Sequence, residues 1–138
     1  MPVFKLSKHI EFPPPELAEK NGLLAIGGDL HTDRLIAAYR RGIFPWYSEG
    51  EPLLWWFISP RLVLFPNEFR VPRRLARYNR NSSLRVTRDA AFAEVINQCA
   101  TVRTETGEKT WITWEMREAY TELHRMGIAH SIECWQDD

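Results

Sequence analysis

Basic side chains are concentrated in one short stretch of an otherwise neutral chain. The sequence has 18 lysine and arginine residues against 18 aspartate and glutamate residues, so its net charge indicates no acidic or nucleic-acid partner. Five arginines nevertheless fall at i, i+3 and i+4 spacing around a predicted helix that opens at Pro72: Arg70, Arg73, Arg74, Arg77 and Arg80. Such a face is either solvated or follows the phosphates of a nucleic acid, and in a neutral chain we favour the phosphates.

Tryptophans form the second group of residues with chemical potential. The chain has six of them in 138 residues, and four stand beside Pro, Gly or Thr in loop-like contexts: Trp46, Trp55, Trp56 and Trp111. An exposed indole near a basic helix can stack on an unpaired base, which is worth about 1–3 kcal/mol per base. Packing in the core or anchoring of a loop is the alternative, and the pattern by itself favours packing.

Other kinds of site have little support in the sequence. His124, His130, Cys99 and Cys134 share no close ligand spacing, so we expect core or surface roles and no metal. No nucleophile elbow or phosphate-binding glycine loop occurs. The two cysteines are too few for a disulfide framework, and no stretch resembles a secretory signal or a membrane span. We therefore expect a cytoplasmic protein.

The elements that must position these residues follow an α+β pattern with short strands and about four helices. Apolar periodicity and capping residues predict the helices, with Asp29 or Thr32 capping the first and Thr113 the last. The predicted helices cover about 32–41, 72–80, 88–99 and 113–126. The predicted strands cover 61–65, 84–87 and 128–135. Residues 42–60 and 101–109 are predicted to be loops.

The last predicted strand runs into a turn signal at its end. A strand normally continues into a partner whose backbone satisfies its own hydrogen-bonding groups. Either an earlier segment pairs with residues 128–135, or the natural protein is longer than this chain. The sequence leaves both alternatives open.

Five strings in order give a more specific indication. They are NGLLAIGGDL, LIAAYRRGIFPWYSEGEPLLWW, PRLVLFP, TWIT at 110–113 and EAYTELHRMGIAHSIECW. Together they resemble the leucyl/phenylalanyl-tRNA–protein transferases from about Phe12 to Asp137. Where that family commonly reads WWSPDPR, this chain reads WWFISPR at 55–61, without one proline and the acidic residue.

The resemblance implies an enzyme that moves Leu or Phe, and also Met, from aminoacyl-tRNA to the N-terminal Arg or Lys of acceptor proteins, marking them for degradation. It implies a monomer that needs no cofactor. It also implies an N-terminal segment with an aromatic loop over 1–60, a small α/β remainder over 61–111, and at 112–138 the first strands of an acetyltransferase-like (GNAT) domain. The family carries its aminoacyl pocket and catalytic residues beyond that point, so no catalytic residue is assigned within this chain.

The resemblance also implies roles for individual residues. Trp46 and Trp111 match tryptophans that hold the 3′-terminal adenosine of the aminoacyl-tRNA, and Tyr120 matches a tyrosine at the same site. The tRNA-binding set comprises Arg73, Arg74, Arg77 and Arg80. A non-enzymatic module that binds tRNA 3′ ends and an inert fragment are the rival interpretations. We expect the 138 residues alone to be inactive in transfer and only marginally folded.

Overall fold

The computed structural model describes residues 3–105, 107 and 109–136. Its strands are β1 Phe4–Leu6, β2 Leu23–Gly27, β3 Phe44–Pro45, β4 Leu54–Trp56, β5 Arg85–Arg88 and β6 Ile132–Trp135. Its helices are α1 Thr32–Tyr39, α2 Arg73–Asn81, α3 Phe92–Glu105 and α4 Trp114–Arg125, with short 3₁₀ turns at Pro15–Leu17 and Pro66–Glu68. The α+β class with short strands is therefore confirmed. No helix in these ranges is long and apolar enough to cross a membrane.

The first sheet has the strand order β1-β2-β4-β3. β1 runs parallel to β2, and the other neighbours are antiparallel. Its core packs Leu24, Leu35, Ile43 and Trp55, all almost fully buried. The Trp55 indole donates a hydrogen bond to the Gly27 carbonyl at 2.9 Å, which satisfies its polar group inside the core. Packing is thus the correct interpretation for this tryptophan.

The second sheet pairs β5 with β6 in antiparallel register, from Arg85 opposite Trp135 to Arg88 opposite Ile132. The final strand does pair with an earlier segment, as the first of the two alternatives supposes. The strand is also shorter than the predicted 128–135. The chain bends over residues 127–131 before the strand begins, and the bend starts at Gly127, which has a φ of +70°.

Helix α4 connects the two parts because it packs against both α1 and α3. Its predicted cap is confirmed: the Thr113 hydroxyl accepts from the Met116 backbone N–H at 3.3 Å. Met116 and Leu123 are buried, and Leu123 joins the core of the first sheet. Of the apolar stripe predicted for this helix, Met116, Tyr120 and Leu123 form its packing face, whereas Met126 is exposed at the C-cap.

The prediction of an irregular loop over 42–60 is wrong in part, because β3 and β4 lie within it. Phe44 pairs with Trp56, and Pro45 with Trp55. Aromatic residues favour pleated, half-buried positions, and this preference outweighs the surrounding Pro and Gly residues. β1 and β2 were not predicted either, since three to five residues without alternation carry little strand signal.

The strand predicted at 61–65 is not formed. Residues 61–65 have no regular structure, and Leu62, Leu64 and Phe65 are exposed. A run with high β propensity forms a strand only where another backbone lies beside it, and none of the described residues pairs with this run.

Several predicted boundaries also shift. α3 begins at Phe92 instead of 88 and extends to Glu105, so part of the loop predicted over 101–109 is helical, while residues 106 and 108 lie outside the described residues. The N-cap of α1 is His31, with no side-chain capping bond; Asp29 instead accepts from the His31 backbone N–H at 3.0 Å. Pro72 is the N-cap of α2.

Candidate functional site

A cavity of about 390 Å³ lies where the end of α1, β3 and the segment before α4 meet. We call it the stacking cavity. Its wall is formed by Tyr39, Gly42, Ile43, Phe44, Pro45, Trp46, Arg61 and Trp111. The fold thus brings Trp46 and Trp111 to one cavity although they are distant in sequence.

Trp46 combines a fixed backbone with a free ring. Its N–H donates to the Leu54 carbonyl at 3.0 Å, and its carbonyl accepts from the Trp56 indole at 2.7 Å. Its side chain is nevertheless 56% exposed. A large ring left in solvent on a rigid strand end is suited to stacking on a planar ligand, because little conformational entropy remains to be lost on binding.

Trp111 is half-buried and is supported by two tyrosines. Its ring meets the edge of Tyr120 with centroids 6.3 Å apart. Tyr120 meets Tyr39 in a similar edge-on contact at 6.4 Å, and their hydroxyls are hydrogen-bonded to each other. Tyr120 itself lines an adjacent apolar cavity of about 530 Å³, together with Tyr39. Of the three aromatic residues predicted for the site, Trp46 and Trp111 line the stacking cavity, and Tyr120 packs against Trp111 without lining it.

The tyrosine pair is neutral. Burial and the neighbouring Tyr39 raise the pKa of Tyr120 far above its usual value of 10.0. Burial also raises the pKa of Tyr39, although its hydrogen bond with Tyr120 acts in the opposite direction. Both shifts favour the protonated phenols, and the edge-on contacts place the pair against the Trp111 ring.

Arg61 supplies the positive charge of the stacking cavity. Its guanidinium donates to the carbonyls of Gly42 and Ile58, both at 2.8 Å, and lies 5.1 Å from the Phe57 ring centroid. Gly42 has a φ of +71°, a left-handed backbone conformation that glycine adopts without strain. A cation fixed at the rim of an aromatic cavity can attract an anionic ligand.

Sequence reasoning did not single out Tyr39 or Arg61 as site residues. The apolar periodicity of α1 places Tyr39 on its packing side. The polar hydroxyl of Tyr39, at the C-terminal end of that helix, was the available signal for a role in a site. Arg61 was noted only within the WWFISPR segment. Its position next to the stacking cavity depends on how the chain turns between Phe57 and Arg61, which no local pattern specifies.

The arginines of α2 lie apart from the stacking cavity. None of the described residues of α2 contributes to the cavity wall. Arg73, Arg77 and Arg80 lie within about 60° of one another around the helix, and all are exposed. Within the described ranges, no acidic side chain forms an ion pair with them. The predicted basic face therefore exists as a solvent-exposed row without internal neutralisation.

His124 and His130 contact neighbouring side chains and backbone groups of the fold. His124 stacks on Phe92 with centroids 4.1 Å apart, and its Nδ1 lies 2.9 Å from the Ala129 carbonyl oxygen. His130 hydrogen-bonds to Asp89 at 2.8 Å, which holds the pKa of that carboxyl below its usual range. No group of three His, Cys, Asp or Glu side chains placed to hold a metal ion occurs in the part of the chain that the structure describes.

Two protein-family models match the chain. The model described as "Leucyl/phenylalanyl-tRNA protein transferase N-terminal domain" matches residues 28–57, which include α1, Trp46 and the strands β3 and β4 of the first sheet. The model described as "Leucyl/phenylalanyl-tRNA protein transferase" matches residues 63–138, which include α2, Trp111 and Tyr120. The stacking cavity is therefore formed by residues from both matched regions and from the linker between them.

Individual relatives agree with these models. The chain is 54% identical to a leucyl/phenylalanyl-tRNA–protein transferase of Desulfotalea psychrophila, covering 100% of this chain and 61% of the relative. Enzymes of the same name from Magnetococcus marinus and Stutzerimonas stutzeri are 55% and 57% identical, covering 100% and 92% of this chain and 58% and 57% of the relatives. The chain thus spans about three-fifths of the length of these curated relatives. It belongs to the leucyl/phenylalanyl-tRNA protein transferase family.

Proposed function

We propose that this chain binds the 3′ end of aminoacyl-tRNA for an aminoacyltransferase reaction. The transferred amino acid is Leu or Phe, and also Met, and the acceptor is the α-amine of a protein that begins with Arg or Lys, which is thereby marked for degradation. The terminal adenosine stacks in the cavity between Trp46 and Trp111. The acceptor stem lies along the α2 arginines, Arg73, Arg74, Arg77 and Arg80.

The observation that carries this proposal is the meeting of Trp46 and Trp111 in one cavity. Two flat rings, one of them 56% exposed, provide stacking surfaces for a purine base. The Arg61 guanidinium at the same cavity adds a charge that suits a nucleotide phosphate. A core residue that happened to be a tryptophan would be buried as Trp55 is, with its whole ring covered.

The proposed reaction requires few chemical groups from this chain. The aminoacyl ester of charged tRNA is already activated, so the reaction requires alignment of the acceptor amine and transfer of a proton. No cofactor or metal has a role in that scheme. The chain's own residues hold the adenosine and the acceptor stem, and the resemblance assigns the catalytic groups to residues outside this chain.

Two further features belong to this proposal. Charged tRNA is a cytoplasmic substrate, so we place the reaction in the cytoplasm. We also propose that the protein acts as a monomer, as the resemblance implies.

Binding of a non-hydrolysable phenylalanyl-adenosine amide tests the proposal. The chain is titrated with the amide, and with the matched phenylalanyl-uridine compound as control, while its tryptophan fluorescence is followed. Saturable binding that prefers the adenosine compound is expected, since a purine offers the larger stacking surface. Equal or undetectable responses to both compounds would overturn it.

The second candidate is a binding module without enzymatic activity. It is favoured because the described residues of the stacking cavity can bind a ligand but include no general base. The protein made from the complete coding sequence decides between the two candidates. In an assay with charged tRNA and an Arg-terminated acceptor, the enzyme transfers the amino acid, whereas the module binds the same tRNA without transfer.

A further inference from the structure

A second aromatic cavity adjoins the stacking cavity at Trp46. Its volume is about 310 Å³, near the lower end of the roughly 300–1,000 Å³ typical of ligand clefts. Its wall includes four aromatic side chains, Phe44, Trp46, Tyr47 and Trp56. Phe44 and Trp46 line both cavities, so the two spaces meet at these side chains. We call the second space the Trp56 cavity.

Two polar side chains that line the Trp56 cavity have complementary hydrogen-bonding roles. One oxygen of the Glu51 carboxylate accepts from the Ser48 backbone N–H at 2.9 Å, which orients the carboxylate while its second oxygen remains able to accept. The Asn21 side-chain oxygen accepts from the Leu23 backbone N–H at 3.0 Å, so the amide NH₂ remains able to donate. The cavity therefore presents an acceptor and a donor beside its aromatic surfaces.

We propose that the Trp56 cavity binds the cytosine base of the nucleotide that precedes the terminal adenosine. This inference rests on the proposed function. Every tRNA ends in the sequence CCA, so that nucleotide is a cytidine. The base stacks on the Trp56 ring, its exocyclic amine donates to the Glu51 carboxylate, and the acceptors of its pairing edge face the Asn21 amide.

The same two polar side chains discriminate against uracil. Uracil carries a carbonyl oxygen where cytosine carries the exocyclic amine, so two acceptors would face each other at Glu51. Uracil also carries an N–H where cytosine has a ring acceptor, so two donors would face each other at Asn21. Polar groups left without a partner on binding lower the affinity. The Trp56 cavity therefore recognises the identity of the base as well as its flat surface.

Arg61 lies at the boundary between the two cavities. Its guanidinium donates to the carbonyl of Ile58, which lines the Trp56 cavity, and to the carbonyl of Gly42, which lines the stacking cavity, both at 2.8 Å. When two consecutive bases occupy adjoining cavities, the phosphate that links them crosses this boundary, where the cation can bind it. The Trp56 indole also donates to the Trp46 carbonyl at 2.7 Å, which fixes the two rings' backbones relative to each other.

Titration with extended forms of phenylalanyl-adenosine amide tests this inference. Isothermal titration of the protein made from the complete coding sequence compares the amide alone with the amide extended at its 5′ side by cytidylate or by uridylate. The two extended compounds carry the same added phosphate, so the difference between them reports the base alone. The cytidylate compound is expected to bind about tenfold more tightly than the uridylate compound, the effect of one net hydrogen bond to a charged group.

Two isosteric variants should reduce this preference. Glu51→Gln keeps an oxygen for the Ser48 N–H but presents an NH₂ group to the base, which suits uracil better than cytosine. Asn21→Asp keeps the oxygen for the Leu23 N–H but loses the donor, so it should weaken binding of the cytidylate compound. Glu49→Gln is the matched control, because it removes an exposed carboxylate outside the Trp56 cavity and should retain the tenfold preference.

The outcomes separate this inference from the proposed function. The unextended amide should bind all four proteins alike, because Asn21, Glu49 and Glu51 lie outside the stacking cavity. Failure of that compound to bind would count against the proposed function, whereas the cytosine site depends on the difference between the extended compounds. Equal affinity of the unaltered protein for both extended compounds, or a preference that survives both cavity variants, would overturn the inference. So would displacement of the cytidylate compound, but not of the unextended amide, by an Arg-terminated peptide, because the occupant would then be a polypeptide.

Discussion

At the scale of single residues, exposure distinguishes the tryptophans better than sequence context does. Trp55 is fully buried and hydrogen-bonded, so it belongs to the core, whereas Trp46 keeps more than half of its side chain in solvent. Trp46 follows Phe44 and Pro45, whereas Trp55 follows two leucines. Their difference comes from the pleat of the strands, which points neighbouring side chains to opposite faces.

In the protein made from the complete coding sequence, replacing Trp46 or Trp111 by alanine should weaken binding of the aminoacyl-adenosine compound. Loss of a stacking face costs about 1–3 kcal/mol, which corresponds to roughly 5- to 150-fold in the dissociation constant. Isothermal titration of each variant measures the change, and thermal melts verify that each variant is folded.

Trp114→Ala is the matched control for these two variants. Trp114 is about as exposed as Trp46 but lies outside the stacking cavity, so its replacement should leave adenosine binding unchanged. Unchanged affinity of both Trp46→Ala and Trp111→Ala, with unchanged melts, would mean that these rings only pack.

Glu133 is a second residue-scale feature with a measurable consequence. Its side chain is buried and accepts hydrogen bonds from the Ser131 and Thr87 hydroxyls, each at 2.5 Å, and from the backbone N–H groups of Ala90 and Ala91 just before α3. These donors, the Ser131 hydroxyl first, hold the pKa of the carboxyl below its ordinary value of 4.5.

We expect Glu133→Gln to lower the thermal midpoint at neutral pH and to matter less in acid. A depressed folded-state pKa contributes stability above the unfolded pKa near 4.5, and that contribution disappears as the pH falls through the lower folded value. Melts of both proteins between pH 7 and pH 3 should therefore converge at the acid end. A constant difference over that range would contradict the role of the charge.

At the scale of elements, α2 is unusual because none of its residues is buried. Its arginines occupy one side, while Leu75 and Tyr78 are exposed on the other. Self-repulsion of a row of cations is unfavourable unless an anion lies beside it. Under the proposed function, the phosphates of the acceptor stem would supply that anion.

The triple replacement Arg73→Ala, Arg77→Ala and Arg80→Ala should lower tRNA affinity without changing base preference. Each lost phosphate contact should reduce the slope of log affinity against log salt by roughly one. Filter binding at several salt concentrations gives the slope.

A variant that loses Lys8, Lys20 and Arg125 removes the same charge from other exposed positions and serves as the control. The amide compound should bind equally well to both triple variants, because the stacking cavity contains none of these residues. An unaltered slope in the α2 variant would show that its arginines are only solvated.

At the scale of the whole molecule, residues 61–81 are notable because they are almost entirely exposed. All of them are exposed except the half-buried Ala76, and they include apolar side chains such as Leu62, Phe65 and Phe69. Apolar area left in solvent contributes nothing to the free energy of unfolding and favours association. β6 pairs with β5 along one edge, so the expectation of marginal folding now depends on the exposed apolar side chains of residues 61–81 more than on a strand without a partner.

We expect the 138 residues alone to unfold with a low m-value and to give no transfer above a no-enzyme control. The m-value follows the area exposed on unfolding, and residues 61–81 add little of it, so urea should yield a value towards the lower end of about 1–3 kcal/mol/M. Urea titration and a transfer assay on one preparation measure both quantities. An ordinary m-value, or any turnover, would contradict this expectation.

Local patterns predicted the helices well and the site only in outline. The Thr113 cap and the i, i+3, i+4 stripe of α4 depend on neighbours within one turn; the cap is confirmed, and so is the stripe except for the exposed Met126. The basic face of α2 likewise follows from helical spacing. β3 and β4 were missed, and a strand was wrongly predicted at 61–65, because strand formation depends on a partner that is distant in sequence.

The sequence by itself determined the α+β class, the family and the identity of the aromatic and basic residues at the proposed site, since these depend on residue type and order. Only the tertiary structure decided that Trp46 and Trp111 share a cavity, that Tyr39 and Arg61 join them, and that β6 pairs with β5. These contacts join residues far apart in the chain. Their formation is governed by burial and backbone pairing across the whole molecule, which no local spacing encodes.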